Sequence, residues 1–161
     1  MTQATSARSF TTEASLVECF VGALQAGRTT FGSLEVTTEW DHRSGFVDVL
    51  ARDATNTLIA FEAKLRDWKR AFMQAYRNTA YANKAYVLLP DSAAKNALLH
   101  KEEFELRGIG LCAISESSVN VLIEAAEQQP LLAWLHSRAH EHFDGAAGER
   151  QAAGGSTDAV C

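Results

Sequence analysis

Apolar positions along the chain change their period repeatedly, and each change marks a change of element. From Thr12, the residues Leu16, Val17, Phe20, Val21 and Leu24 fall on one stripe at helical spacing, with Gly27 as the stop. Ser33 to Trp40 alternates Leu34, Val36, Thr38 and Trp40 against Glu35, Thr37 and Glu39, the period of a half-exposed strand. A polar turn, Asp41 to Gly45, leads into a second strand through Ala51, and a turn at Asp53–Asn56 leads into a third, Leu58 to about Lys64. Arg66 to Ala82 reads as an alanine-rich, cationic helix, and Ala85 to Leu89 as a buried strand ended by Pro90. Asp91 or Ser92 can cap a helix reaching about Arg107, Gly108 to Ile114 reads as a strand, and Val119 to Ile123 as a short sixth. Pro130 opens a last helix, Leu131 to about Phe143.

This order predicts an α/β fold. A three-strand meander followed by a helical crossover implies a mixed central sheet flanked by helices. Residues 1–10 are polar and expected to be flexible, residues 11–144 form one domain, and residues 145–161 are expected to be a disordered tail, because they lack periodicity.

Composition narrows the class. With 161 residues, 47% hydrophobic, the chain can bury one core of ordinary size. A net charge of −5 and a pI near 5.5 argue against a protein that coats nucleic acid through bulk charge, but leave room for a local basic face. The 3 cysteines, Cys19, Cys112 and Cys161, are odd in number and far apart, which suits a reducing cytoplasmic setting. No apolar run reaches the roughly 20 residues of a membrane span, and Met1 to Arg8 lacks the apolar stretch of a signal peptide.

Charge inside the strands is the most informative local feature. Asp48 interrupts Phe46-Val47-Asp48-Val49-Leu50, and Glu62-Ala63-Lys64 ends the apolar run Leu58-Ile59-Ala60-Phe61. Burying such groups costs several kcal/mol unless something compensates them. Strand alternation points Glu62 and Lys64 to one face, and a hairpin across Asp53–Asn56 brings Asp48 beside Glu62. Two converging carboxylates can hold Mg²⁺, and a neighbouring lysine can orient water or neutralise phosphate charge. That chemistry suits metal-assisted phosphodiester hydrolysis. The plain alternative is an aspartate at a buried edge and an ordinary Glu62–Lys64 surface pair.

From Glu13 to Pro90 the chain resembles the PD-(D/E)XK nuclease superfamily, whose restriction-endonuclease-like core is an αβββαβ unit. The resemblance implies that Asp48 is the metal-binding aspartate, that Glu62 and Lys64 form the acidic-x-Lys signature, and that the backbone carbonyl of Ala63 is a further ligand. Val47 stands where the family often has proline. The family's first-helix glutamate would be Glu13, which lies near the centre of the apolar stripe while Glu18 projects away from it. Equally, Glu13 can be a first-turn acid favoured by the helix dipole. A crossover-helix glutamine would be Gln74. The implied cofactor is Mg²⁺, with Mn²⁺ able to substitute, and the implied substrate is DNA.

Six of the 15 basic residues, Lys64, Arg66, Lys69, Arg70, Arg77 and Lys84, fall within 21 positions. Arg66, Lys69, Arg70 and Arg77 are the candidates for binding a phosphate backbone, or else a solvated helix face. Trp68, Tyr76 and Tyr81 can stack on bases if exposed, or fill the core, the better reading for the two tyrosines. His136 and His140, four apart with Glu141 and His142 adjacent, lack a third zinc ligand and read as a surface helix. Gly108-Ile109-Gly110 lacks the later glycine of a dinucleotide-binding loop. The expected function is therefore a metal-dependent nuclease that relies on a homodimer or a partner subunit for recognition. The alternative is a catalytically inactive nucleic-acid-binding or protein-interaction module on the same fold.

Overall fold

The computed structural model describes residues 10–154. Six strands, β1 (Leu34–Asp41), β2 (Phe46–Asp53), β3 (Leu58–Ala63), β4 (Lys84–Pro90), β5 (Gly110–Ile114) and β6 (Val119–Ile123), form one sheet in chain order. β1, β2 and β3 pair antiparallel, β3–β4 and β4–β5 are parallel, and β6 returns antiparallel. Parallel neighbours need a crossover. Helix α2 (Trp68–Asn78) carries β3 to β4, and α3 (Asp91–Leu98) with α4 (Lys101–Arg107) carries β4 to β5. Helix α1 (Glu13–Gln25) precedes the sheet and α5 (Ala133–Gly154) follows it. The leading α1-β1-β2-β3-α2-β4 order is the αβββαβ unit expected of a restriction-endonuclease-like core, in a mixed sheet flanked by helices.

β3 is buried along its whole length, which explains its unbroken apolar run. Ile59, Phe61 and Ala63 pack with Leu16, Phe20 and Leu24 of α1. Leu58 and Ala60 pack with Leu50, Tyr81 and the α5 residues Leu135, Ala139 and Phe143. Next to them, Ala85, Val87 and Leu89 of β4 face Ala71, Phe72 and Ala75 of α2.

Alternation breaks at one place in β1 and β2. Leu34 and Val36 pack toward α1, but Trp40 joins Tyr81 in the α5 cluster. Likewise Val49 faces the α1 cluster while Val47 joins Trp40. Glu39, at φ 51, makes the turn, and Asp48 stands at the changeover in β2.

Helix boundaries differ from the sequence reading for local reasons. Thr12 caps α1, accepting from the Ser15 amide at 3.0 Å. The predicted helix to Arg107 divides at Leu99–His100, where the His100 ring meets Trp68 with centroids 4.6 Å apart. α4 stops at Gly108, whose φ of 70 suits glycine. α5 begins at Ala133 and runs through Gly154, so residues 145–154 are helical where a disordered tail was expected. Ala146, Ala147 and Glu149 favour helix, and Asp144 is anchored to Arg52. Residues 1–9 and 155–161, the rest of both expected flexible termini, lie outside the described residues.

Arg52 fastens α5 to the sheet. It is only 7% exposed and bonds Asp144 at 2.8 Å, Glu35 at 3.0 Å and the His140 carbonyl at 3.4 Å, with its guanidinium 5.2 Å over Phe143. His136 donates from Nδ1 to the Tyr81 carbonyl at 2.8 Å, and His142 Nε2 lies 3.2 Å from Thr37 Oγ1. The α5 histidines thus help dock the helix. No described helix is long and apolar enough to cross a membrane.

Candidate active site and metal centre

The β2–β3 ladder ends at Val49–Phe61, so the next positions outward are Asp48 and Glu62. There the side chain replaces the main chain as acceptor: Asp48 Oδ2 takes the Ala63 amide at 2.8 Å. Asp48 is therefore fixed between the strands by backbone geometry. Its carboxyl also comes within hydrogen-bonding reach of Glu62.

Glu62 is 3% exposed. Its Oε1 accepts from Asn78 Nδ2 at 2.8 Å, and Asn78 Oδ1 in turn accepts from the Tyr81 hydroxyl at 3.1 Å. Burial pushes the Glu62 carboxyl up to about 8, the Asn78 bond opposes the rise, and the Asp48 charge adds to it. Around neutral pH the glutamate therefore holds its proton, because burial outweighs the Asn78 bond and the opposing charge of Lys64.

Lys64 lies one residue beyond β3, its amide bonded to the Leu88 carbonyl at 3.2 Å. Its Nζ reaches Glu13 Oε2 at 3.2 Å and Oε1 at 3.4 Å. Simple alternation put Glu62 and Lys64 together on one face. Past the end of the strand their polar ends instead take separate partners, Asn78 on α2 and Glu13 on α1. Glu13, the candidate first-helix glutamate, is thus the ion-pair partner of Lys64. Among the described residues no three His, Cys, Asp or Glu side chains gather to hold a metal ion, so any cation would rest on two carboxylates, a carbonyl and water.

The residues open onto three cavities. Glu13 and Asp48 line one of about 500 Å³ with Val17, Thr38 and Glu39. Glu13 and Lys64 line a second, about 830 Å³, with Arg66, Ser92 and Asn96. Glu62, Gln74, Arg77 and Asn78 line a third, about 560 Å³, against the β1–β2 turn and α5. Gln74 thus joins Glu62, and its amide oxygen is buried with no hydrogen-bond partner among the described residues. Asn78 and Tyr81 escaped the sequence reading as members of the site. The spacing of Gln74 and Asn78, four apart on one helix face, was the available signal.

Lys69, Arg70 and Arg77 border one depression with Asp67, Met73 and Gln74, while Arg66 lies on the Lys64 side. All four cations are exposed. Tyr81 is buried as expected, but Tyr76 is 39% exposed, with the Arg107 guanidinium 4.8 Å over its ring, rather than a core residue. Trp68 is half-buried against Phe72 and Phe104.

The donor set tests the expected cofactor. Two carboxyls meet here, one holding a proton through burial and its neighbour's charge, and a cation beside them would favour loss of that proton. Hard-oxygen ligands of this kind fit Mg²⁺ or Mn²⁺.

Comparison with known proteins finds no matching family model and no matching curated protein. Among solved structures, the fold is similar to that of a protein of unknown function from Silicibacter pomeroyi, with a TM-score of 0.60 at 14% identity over 93% of this chain and 96% of the other. A crystal structure of a repair endonuclease from Pyrococcus abyssi also aligns, with a TM-score of 0.44 at 16% identity over 68% of this chain and 50% of that one. The first likeness establishes a shared fold over nearly the whole length of both chains.

Proposed function

We propose that this protein is a metal-dependent nuclease that hydrolyses phosphodiester bonds in DNA. The observation that carries the reading is the Asp48–Glu62 pair, two carboxyls pressed together where the ladder ends, with Glu62 buried and its proton affinity raised to about 8. Such an arrangement costs stability in the absence of a cation, and perturbed groups of this kind concentrate at functional sites. Asp48, Glu62 and the Ala63 carbonyl would hold Mg²⁺ or Mn²⁺. A bound cation would supply Lewis-acid polarisation of a phosphoryl oxygen and a more acidic water.

The chain's own groups have distinct tasks. Asp48 keeps Oδ2 on the Ala63 amide, which holds its rotamer and leaves Oδ1 for binding. Asn78 and Tyr81 orient Glu62. Lys64 directs an ammonium, steadied by Glu13, at attacking water or developing phosphate charge. Gln74 assists beside Glu62, and Arg66, Lys69, Arg70 and Arg77 bind the backbone phosphates. Recognition would come from a homodimer or a partner subunit.

A second reading, a non-cleaving module on the same fold, draws on the Lys64–Glu13 and Glu62–Asn78 contacts, which satisfy those groups without a cation. Incubating plasmid, linear single-stranded DNA and RNA with the protein in Mg²⁺, Mn²⁺ or EDTA separates the two. Metal-dependent cleavage that disappears in Asp48→Ala supports the nuclease. Absence of cleavage on every substrate supports the module.

A further inference from the structure

We propose that the cavity beside Glu62 is a base-stacking subsite for an unpaired nucleotide, so that the substrate is single-stranded or locally opened DNA; this deepens the nuclease reading and rests on it. Phe46 and Trp134 are 65% and 54% exposed. Among the described residues they are the only exposed Phe and Trp side chains, and both line this one cavity. Exposed rings cost free energy unless a ligand covers them. Here they come from separate elements, β2 and α5, and flank a space of about 560 Å³ whose floor includes Glu62. That volume takes a small ligand such as a nucleotide.

The polar lining fits the same occupant. Arg43 and Arg77 are the cations of the cavity and Glu62 its one carboxylate, a balance suited to a phosphate entering beside the acidic pair. The Arg43 guanidinium lies 6.0 Å from the Trp134 ring centroid, so cation and stacking surface are adjacent. Gln74 lines the same cavity, and its buried amide oxygen has no hydrogen-bond partner among the described residues. A base stacked inside a duplex cannot present its face to these rings, whereas an unpaired one can.

The platform is also preorganised. The His42 amide donates to the Gly45 carbonyl at 3.0 Å, and the Arg43 amide to Asp41 Oδ1 at 2.7 Å. The His42 ring stacks on buried Tyr81 with centroids 5.5 Å apart and planes 24° apart. A turn held in this way presents Phe46 and Arg43 with little ordering cost on binding.

The test is fluorescence anisotropy with labelled single-stranded and duplex DNA of one sequence, in EDTA so that nothing is cleaved. The wild type should bind the single strand more tightly than the duplex. Trp134→Ala and Phe46→Ala should each weaken single-strand binding roughly tenfold, Trp134→Phe should retain most of it, and duplex binding should hardly change. The proposal is overturned if the wild type does not bind single strands, if both alanine variants bind them as the wild type does, or if single-strand and duplex binding fall together. Both rings are exposed, so a folding failure is not expected, and circular dichroism of each variant checks it. Because the assay needs no catalysis, loss of this subsite leaves cleavage by the wild type as a separate result, and loss of cleavage leaves the stacking result standing.

Discussion

Glu62→Gln should stabilise the metal-free protein at alkaline pH while abolishing cleavage, an unusual pairing for a buried substitution. Glutamine keeps an oxygen to accept the 2.8 Å bond from Asn78, so the neighbouring network survives. What it removes is the ionisation of a carboxyl whose proton is held up to about 8 in the folded chain, against an ordinary value of 4.5. As pH rises between those values, the unfolded chain loses this proton before the folded chain does. Stability from this group is therefore fully present below about pH 4.5 and lost as pH climbs through about 8. At about 1.36 kcal/mol per pH unit, the interval sets an upper bound of roughly 5 kcal/mol, and water entry and movement of Asp48 reduce the expected loss to about 2–3 kcal/mol. Urea denaturation in EDTA at about pH 5 and about pH 8.5 measures it. The wild type should lose that amount relative to the variant, and Mg²⁺ should restore the wild type alone, because it binds the folded ionised pair. Parallel pH profiles for the two proteins would refute this account of Glu62.

Three further outcomes follow from individual contacts. Lys64→Ala should reduce cleavage at least about 100-fold yet cost less than about 1 kcal/mol in unfolding, since its Glu13 partner is 47% exposed. Arg52→Ala should destabilise by about 2–3 kcal/mol in urea unfolding, because it severs β2 from α5 while Asp144, 68% exposed, can still be solvated. Gly110→Ala should lower stability by about 1–3 kcal/mol, read as a lower midpoint in thermal unfolding, since a Cβ there would meet the Tyr86 ring at 2.2 Å and the Ala125 amide nitrogen at 2.9 Å.

The periodicities that were legible are those in which burial follows a regular repeat. The α1 stripe, the β1–β3 meander and the crossover helix all follow from spacing, and the pairing of Asp48 with Glu62 follows from a short turn between two strands. Spacing failed where the backbone leaves its repeat. Glu39, at φ 51, exchanges the faces of β1 and β2, so Trp40 packs away from Leu34 and Val36 although all three occupy even positions. Lys64 lies beyond the strand end, where alternation no longer governs the long side chain, and so it meets Glu13 rather than Glu62. Asn78 reads as an ordinary polar residue near a helix end; only tertiary packing reveals that it holds Glu62. The docking of α5 was equally hidden. It depends on Arg52 finding Glu35 and Asp144, residues that sequence separation gives no reason to join.

Cation binding between Asp48 and Glu62 is measured most directly by calorimetric titration of Mn²⁺ into the wild type and into Asp48→Asn, each near neutral pH, below the Glu62 transition, where binding must displace the Glu62 proton. The predicted result is saturable binding with proton release in the wild type and its loss in the variant, whose amide still fits the site but carries no charge. Equal binding by the two proteins, or none by the wild type, would contradict a metal centre at this pair.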